Sequence, residues 1–297
     1  MNNKFKPNRS SVNAYPFISL KDAKIIQRSF MHSKKLKLYL VHLLNRLGIY
    51  PDNDFREWNR LCNLYWGKSG FVIGNGPSLR IEDLDQLIDQ ITIASNRIYL
   101  AYDKTEFRPT MLTSIDAILA ENSVEELRAL QGKKYFADSL RDTLEPMPDA
   151  IYWKAESGAI GNSMRRKFSP DARNCIYAGH TITYNNLQIA YHLGLRTVYL
   201  IGMDFSFTLP VRRKNHEYAQ ALISEGEVNH FLPNYRKPGE LWSMPDLKRQ
   251  EAALISAKEY YESHGRRVLN ATRGGKLEVF PRVDLDKVLK SLNKQNT

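Results

Sequence analysis

The chain has 297 residues, 42% of them hydrophobic, which is enough for one large α/β domain with appendages; no apolar run reaches the roughly 18 residues of a membrane span. Its net charge of +11 is uneven: residues 1–50 carry ten Lys/Arg against one acid, and the remaining 247 carry 33 bases against 31 acids. The nearly neutral body argues against nucleic acid as a partner, and the two cysteines, Cys62 and Cys175, form no metal-ligand pattern and suit a reducing cytoplasm.

The lead "MNNKFKPNRSSVNAYPF" has no apolar core and no small-residue cleavage site, so a signal peptide is not expected. Residues 21–66 read as helical, with a break near Gly48–Pro51. Within them Leu36, Leu40, Leu43, Leu44 and Leu47 form one helical stripe, with Lys34 and Lys37 away from it. Such a helix either lies on an anionic membrane surface or docks on its own protein; the charge asymmetry favours the membrane, through residues 21–50. Aromatics are not interleaved with the bases as a nucleic-acid stacking platform requires. The expected organisation is a basic helical extension over 1–66 and a catalytic domain over 67–297, placed in the cytoplasm at the inner membrane.

From residue 70 short apolar runs alternate with helical periods. Strands are expected at 71–73, 91–96, 110–116, 134–138, 150–154, 196–205 and 266–272. Helices are expected at 81–90, 117–130, 183–195, 245–265 and 283–292. Residues 206–244 are polar and show little periodicity; a segment of that kind inside a compact domain reads as a functional lid. The alternation predicts a Rossmann-like α/β fold with a mostly parallel sheet and helices on both faces. Ligands then bind beyond the carboxyl ends of the strands, where Asn75, Asn96, Asp116 and Asp204 fall.

The stretch "FVIGNGPSL" ends an apolar run in a glycine turn. Gly74 and Gly76 permit a tight bend and close ligand approach, and Pro77 suits a first helical turn. The N–H groups that follow would face an anion, so the turn reads as a nucleotide or phosphate cradle. The dinucleotide fingerprint needs a third glycine where Leu79 stands and an acid where Asn96 stands, so NAD and FAD are not expected. "GKS" at 67–69 lacks the earlier glycine of a P-loop and precedes its strand.

"IGNGPSL", a strand ending in Asn96, "LGLRTVYLIGMDFSF" and "NHF" together resemble the bacterial CMP-sialic acid sialyltransferases of glycosyltransferase family 42. They resemble more closely the related Maf-type flagellin glycosyltransferases and MptE-like pterin diphosphokinases. The resemblance spans roughly residues 70–290. It implies that Gly74, Asn75, Gly76, Pro77 and Ser78 line the nucleotide and its phosphate, that Asn96, Asp116 and Asp204 contact the donor, and that Thr181 and Thr183 lie near the donor carboxylate. Where the sialyltransferases hold the departing phosphate with tyrosines, this chain has Ser206 and Arg212; Arg212 or Arg213 would do that work by charge. Of their His-x-x-His stretch, His230 is kept and Pro233 replaces the second histidine, making His230 the candidate base. Arg236 lies in the same segment and is a further donor-site candidate.

No Asp-x-Asp motif stands at a strand end; the two Asp-Leu-Asp runs, 83–85 and 284–286, read as acids complementing helix dipoles. A metal-free mechanism follows more easily, and the resemblance implies a metal-independent, cofactor-free glycosyltransferase. It takes a CMP-activated 2-keto acid sugar to a glycan or glycolipid acceptor. The alternative is an MptE-like diphosphokinase moving pyrophosphate from ATP to a small alcohol, in which Asp116 and Asp204 would share Mg²⁺.

Overall fold

A computed structural model describes residues 52–145, 147–215 and 220–293. The chain divides into two units, Met1–Arg56 and Glu57–Thr297, and all that follows concerns the second. The basic stripe and the membrane contact expected over 21–50 lie outside the described residues. Among those described, no helix is long and apolar enough to cross a membrane.

Strands β1 (Ser69–Ile73), β2 (Thr92–Ser95), β3 (Met111–Ser114), β4 (Lys134–Ala137) and β5 (Ala150–Trp153) are laid down in that order across a sheet. Four short strands follow: β6 (Ala155–Glu156), β7 (Ala159–Ile160), β8 (Ser163–Arg166) and β9 (Ile176–Tyr177). The chain then returns past β1 to form β10 (Thr197–Ile201) on its other side. The segment expected to act as a lid holds β11 (Arg213–Asn215), β12 (Gln220–Ile223) and β13 (Leu241–Ser243) and precedes β14 (Arg267–Asn270). The main sheet has the order β14-β10-β1-β2-β3-β4-β5, and every neighbouring pair is parallel. Its strand order reverses between β1 and β10, the place where such sheets bind ligands.

The sheet is covered on both faces, so its strands read as continuous apolar runs instead of alternating ones. Val72, Ile93, Val198 and Leu200 pack on one face with the helix Ile182–His192. Phe71, Ile73, Ala94 and Leu112 pack on the other with Leu285 and Leu289 of the helix Leu285–Asn293. Helix Ile182–His192 is buried from Thr183 to His192, and most of its polar groups find partners inside, Asn186 Nδ2 having none among the described residues. Gln188 accepts from Ser169 N (2.9 Å) and Tyr177 N (3.0 Å), and His192 Nδ1 accepts from Ala172 N (3.3 Å) while Nε2–H donates to Trp58 O (2.8 Å). Leaving such groups unpaired would cost about 1–3 kcal/mol each.

The parallel sheet and its helices are as the apolar periodicity predicts. The expected helix 117–130 is instead two, Ala117–Glu121 and Val124–Ala129. The expected helix 81–90 stops at Asp85. The Asp-Leu-Asp runs do more than complement dipoles: Arg273 pairs with Asp83 (2.9 Å) and with Asp286 (2.6 Å), tying the two runs together. Segment 206–244 is not without regular structure, for its strands of three and four residues form the antiparallel sheet β11-β12-β13. Elements that short leave no periodic signature in a sequence.

Candidate functional site

β1 and β10 end side by side, with Ile73 opposite Ile201, and each runs into a tight turn. Gly74 N donates to Ile201 O (2.8 Å) and Gly76 N to Gly202 O (2.9 Å). A Cβ on Gly74 would run into the Gly202 carbonyl and lie 2.8 Å from Met203 Sδ; one on Gly76 would strike the Asp204 carboxylate. Glycine is required at both because the two turns pack backbone to backbone. Asp204 accepts from Ser78 N (3.2 and 3.3 Å) and from Ser78 Oγ (2.7 Å), so this carboxylate anchors the glycine turn. That corrects the expectation of a helix start at Pro77 with free N–H groups: the helix begins at Ile81, and the donors of Ser78 are spent on Asp204. Pro77 and Ser78 do not line the cleft, whereas Gly74, Asn75, Gly76 and Asp204 do.

The cleft has a volume of about 730 Å³ and runs along the carboxyl edge of the sheet. Asn75 Nδ2 donates to Ser95 O (3.0 Å), which leaves its buried Oδ1 at the cleft wall without a partner among the described residues. Asn96 accepts from Ser114 Oγ (2.9 Å) at Oδ1 and holds a left-handed backbone, φ 56°. Of the four non-glycine residues with positive φ among the described residues, three (Asn96, His180 and Phe205) line this cleft. Such conformations are tolerated where the surroundings over-determine them, and they cluster at functional sites. Asp116 caps the helix Ala117–Glu121 by accepting from Leu119 N (3.2 Å) and also accepts from Ser243 Oγ of β13 (3.1 Å). Thr181 caps Ile182–His192 by accepting from Thr183 N (3.3 Å), and the Thr183 hydroxyl lies 3.3 Å from Met203 Sδ.

The lid brings in His230. Asn229 clamps Thr208 through both its N–H and carbonyl (2.7 and 2.8 Å), and Phe231 N donates to the carbonyl of Asn75 (3.0 Å). His230, between these two anchors, stacks on Tyr235 with ring centroids 3.8 Å apart and planes 6° from parallel. Arg97, only 5% exposed, fastens this part of the lid. It donates to Tyr235 O (2.7 Å), Asn122 O (3.0 Å) and Ser123 Oγ (2.8 Å), and pairs with both oxygens of Glu240 (2.8 and 3.3 Å). Sequence reasoning missed Arg97 because its partners lie 25 to 143 residues away.

Burial, with Arg236 and then Arg97 adding to it, pushes His230 down to about 3, so its imidazole is neutral. Arg236 also lines the cleft, lies 4.1 Å over the Trp242 ring and makes no ion pair among the described residues. Burial lowers its pKa as well. Trp242, 4% exposed, presents a buried indole N–H at the same wall that has no partner among the described residues. Arg212 and Arg213 do not reach the cleft: both are exposed, at and beside β11. The cleft's second arginine is one that sequence reasoning did not select, Arg166 of β8, with its guanidinium 2.8 Å from His180 Nε2.

Both strand-end acids are already hydrogen-bonded within the protein. Asp204 is engaged by Ser78 and Asp116 by Leu119 N and Ser243, and among the described residues no three His, Cys, Asp or Glu side chains group as metal ligands.

No curated protein matches the sequence. Among solved structures, the chain is similar to the Maf glycosyltransferase of Magnetospirillum magneticum AMB-1, at 14% identity and TM-score 0.43. That alignment covers 77% of this chain and 37% of the other, so this chain spans a little over a third of that protein's length. It is also similar to the sialyltransferase CstII of Campylobacter jejuni solved with cytidine-5'-monophosphate, at 14% identity, TM-score 0.39 and 73% and 85% coverage. The same protein with CMP-3FNeuAc aligns at 13% identity and TM-score 0.38, with the same coverage. The 6-hydroxymethylpterin diphosphokinase MptE-like family profile matches residues 42–209, more than half of the chain, and the protein belongs to that family.

Proposed function

We propose that this protein is a transferase acting on a nucleotide-activated donor, and specifically a glycosyltransferase that takes a CMP-activated 2-keto acid sugar to a hydroxyl of a glycan or glycolipid. The observation that carries this is a neutral imidazole, His230, beside an unpaired guanidinium, Arg236, on the wall of the cleft that holds the glycine turn. The choice of cytidine rests on the resemblance to the CMP-sialic acid sialyltransferases; "GNGPSL" and "GMDF" by themselves mark the superfamily and not the donor. The choice of an acidic sugar rests on charge. The cleft has two cationic positions, Arg236 over Trp242 and Arg166 beside His180 at the start of Ile182–His192. A donor with both a phosphate and a carboxylate would occupy both.

In this mechanism Asn75 Oδ1 and Asn96 meet the nucleoside, and Arg236 with the Trp242 N–H meets the departing phosphate. His230 takes the proton of the attacking hydroxyl. An imidazole near 3 is a weak base; a phosphate bound at Arg236 cancels that arginine's share of the lowering, while the larger share, from burial, remains. No step runs through a metal. A peripheral position at the cytoplasmic face of the inner membrane, held by residues 21–50, belongs to the same proposal.

The second reading, a diphosphokinase moving pyrophosphate from ATP, is favoured by the family match. Calorimetric titration with CMP and with ATP, each with and without Mg²⁺, separates the two. The first reading expects metal-independent CMP binding, weakened roughly 10- to 100-fold by Arg236→Ala. ATP binding that needs Mg²⁺, with no CMP binding, would establish the second.

A further inference from the structure

Ten large apolar side chains are exposed among the described residues, and five of them, Phe207, Leu209, Val211, Val228 and Met244, belong to the lid. Val211 is 87% exposed, Val228 62% and Leu209 42%. The double hydrogen bond between the Thr208 backbone and the Asn229 side chain joins the stretch that carries Leu209 to the one that carries Val228. Phe207 and Met244 also line the cleft, Phe207 with its ring 6.2 Å from that of Trp242. Beyond Val211 come three exposed cations, Arg212, Arg213 and Lys214, and residues 205–215 contain no acid. These arginines neither reach the cleft nor ion-pair among the described residues.

Exposed apolar side chains next to unpaired cations fit one kind of surface well. The apolar groups gain by leaving water for the acyl boundary, and the cations gain by meeting anionic headgroups. A folded acidic protein would match the charge but offer Val211 less. We infer that the edge Leu209–Lys214 inserts shallowly into an anionic bilayer and turns the cleft mouth toward the membrane, where a lipid-borne acceptor is presented. This contact is separate from residues 21–50 and does not depend on the identity of the donor.

The test places an environment-sensitive nitrobenzoxadiazole dye on V211C in the full chain, with Cys62 and Cys175 replaced by serine. A control dye goes on S263C, at the exposed end of the helix Leu247–Ser263. Vesicles are phosphatidylcholine alone or mixed equally with phosphatidylglycerol. The expected result is a blue shift at position 211 with the anionic vesicles only, none at 263, and partitioning weakened roughly 10- to 30-fold by Arg212→Ala with Arg213→Ala. Three results would overturn the inference: no shift at 211 although the chain sediments with the vesicles, an equal shift on neutral vesicles, or a shift without vesicles that grows with protein concentration, which would mean a second copy covers the patch.

Discussion

Glu240→Ala removes the acid that neutralises Arg97. The guanidinium is 5% exposed, so the variant would leave a cation buried without a counter-charge. Losing one partner of a buried pair typically costs 3–5 kcal/mol. Here Arg97 keeps three acceptors, Tyr235 O, Asn122 O and Ser123 Oγ, so the loss should be nearer about 2–3 kcal/mol. For a domain of this size that is a fall in Tm of roughly 4–12 °C. The loss should concentrate in the lid, because Arg97 joins the body to Tyr235 and Glu240. Amide hydrogen exchange over 232–243 should speed up by roughly 30- to 150-fold, while β1 and β10 keep their protection. The double variant Arg97→Met with Glu240→Leu removes both charges and should recover much of the stability. Unchanged exchange in the lid after Glu240→Ala, with a Tm within about 1 °C of the parent, would refute the idea that this pair fastens the lid.

Stability should also respond to acid in two ranges. A histidine whose folded pKa lies below its unfolded value of about 6.5 destabilises the fold as pH drops from 6.5 toward the folded pKa, because only the unfolded chain takes the proton. His230, at about 3, should therefore contribute a slope of up to about 1.4 kcal/mol per pH unit below 6.5. Urea titrations of His230→Gln should show that slope reduced, part remaining from His180 and His192, which burial also lowers; an unaltered slope would count against the buried neutral imidazole. Glu57 is held at about 2 chiefly by Arg60, with Lys133 and Tyr135, against its burial. Its contribution, about 2–3 kcal/mol, is present above about pH 4.5 and lost as pH falls toward 2; Glu57→Gln should remove that acid-dependent step. Asn96→Ala should lose both CMP affinity and about 1 kcal/mol of stability, since alanine is strained at φ 56°. Asn96→Gly should restore the stability without the affinity, and equal affinity in all three proteins would remove Asn96 from the donor site. Gly76→Ala should cost about 1–3 kcal/mol by pushing on Asp204 and loosening Ser78; a thermal melt matching the parent's would show that the two turns are not packed as described.

The sequence by itself determined the sheet. Strands buried on both faces must be apolar throughout, so runs such as 71–73 and 197–201 announce themselves, and the helical periods between them require parallel neighbours. It also located the glycine turn and the strand-end residues Asn75, Asn96 and Asp116, because a turn that brings backbones together needs glycine and strand ends follow from strands. Tertiary structure decided what those residues do. Asp204 looks alike in sequence whether it binds a ligand or Ser78, and only the folded chain, bringing residues 126 positions apart to 2.7 Å, makes it an anchor. The arginines were decided in the same way. Arg212 stood at an expected place by counting, with Arg213 beside it, but both are exposed away from the cleft, which Arg236 and Arg166 line instead. Local pattern reports which backbone a residue favours; which charge meets which cavity depends on contacts across the whole chain, and those leave no period to read.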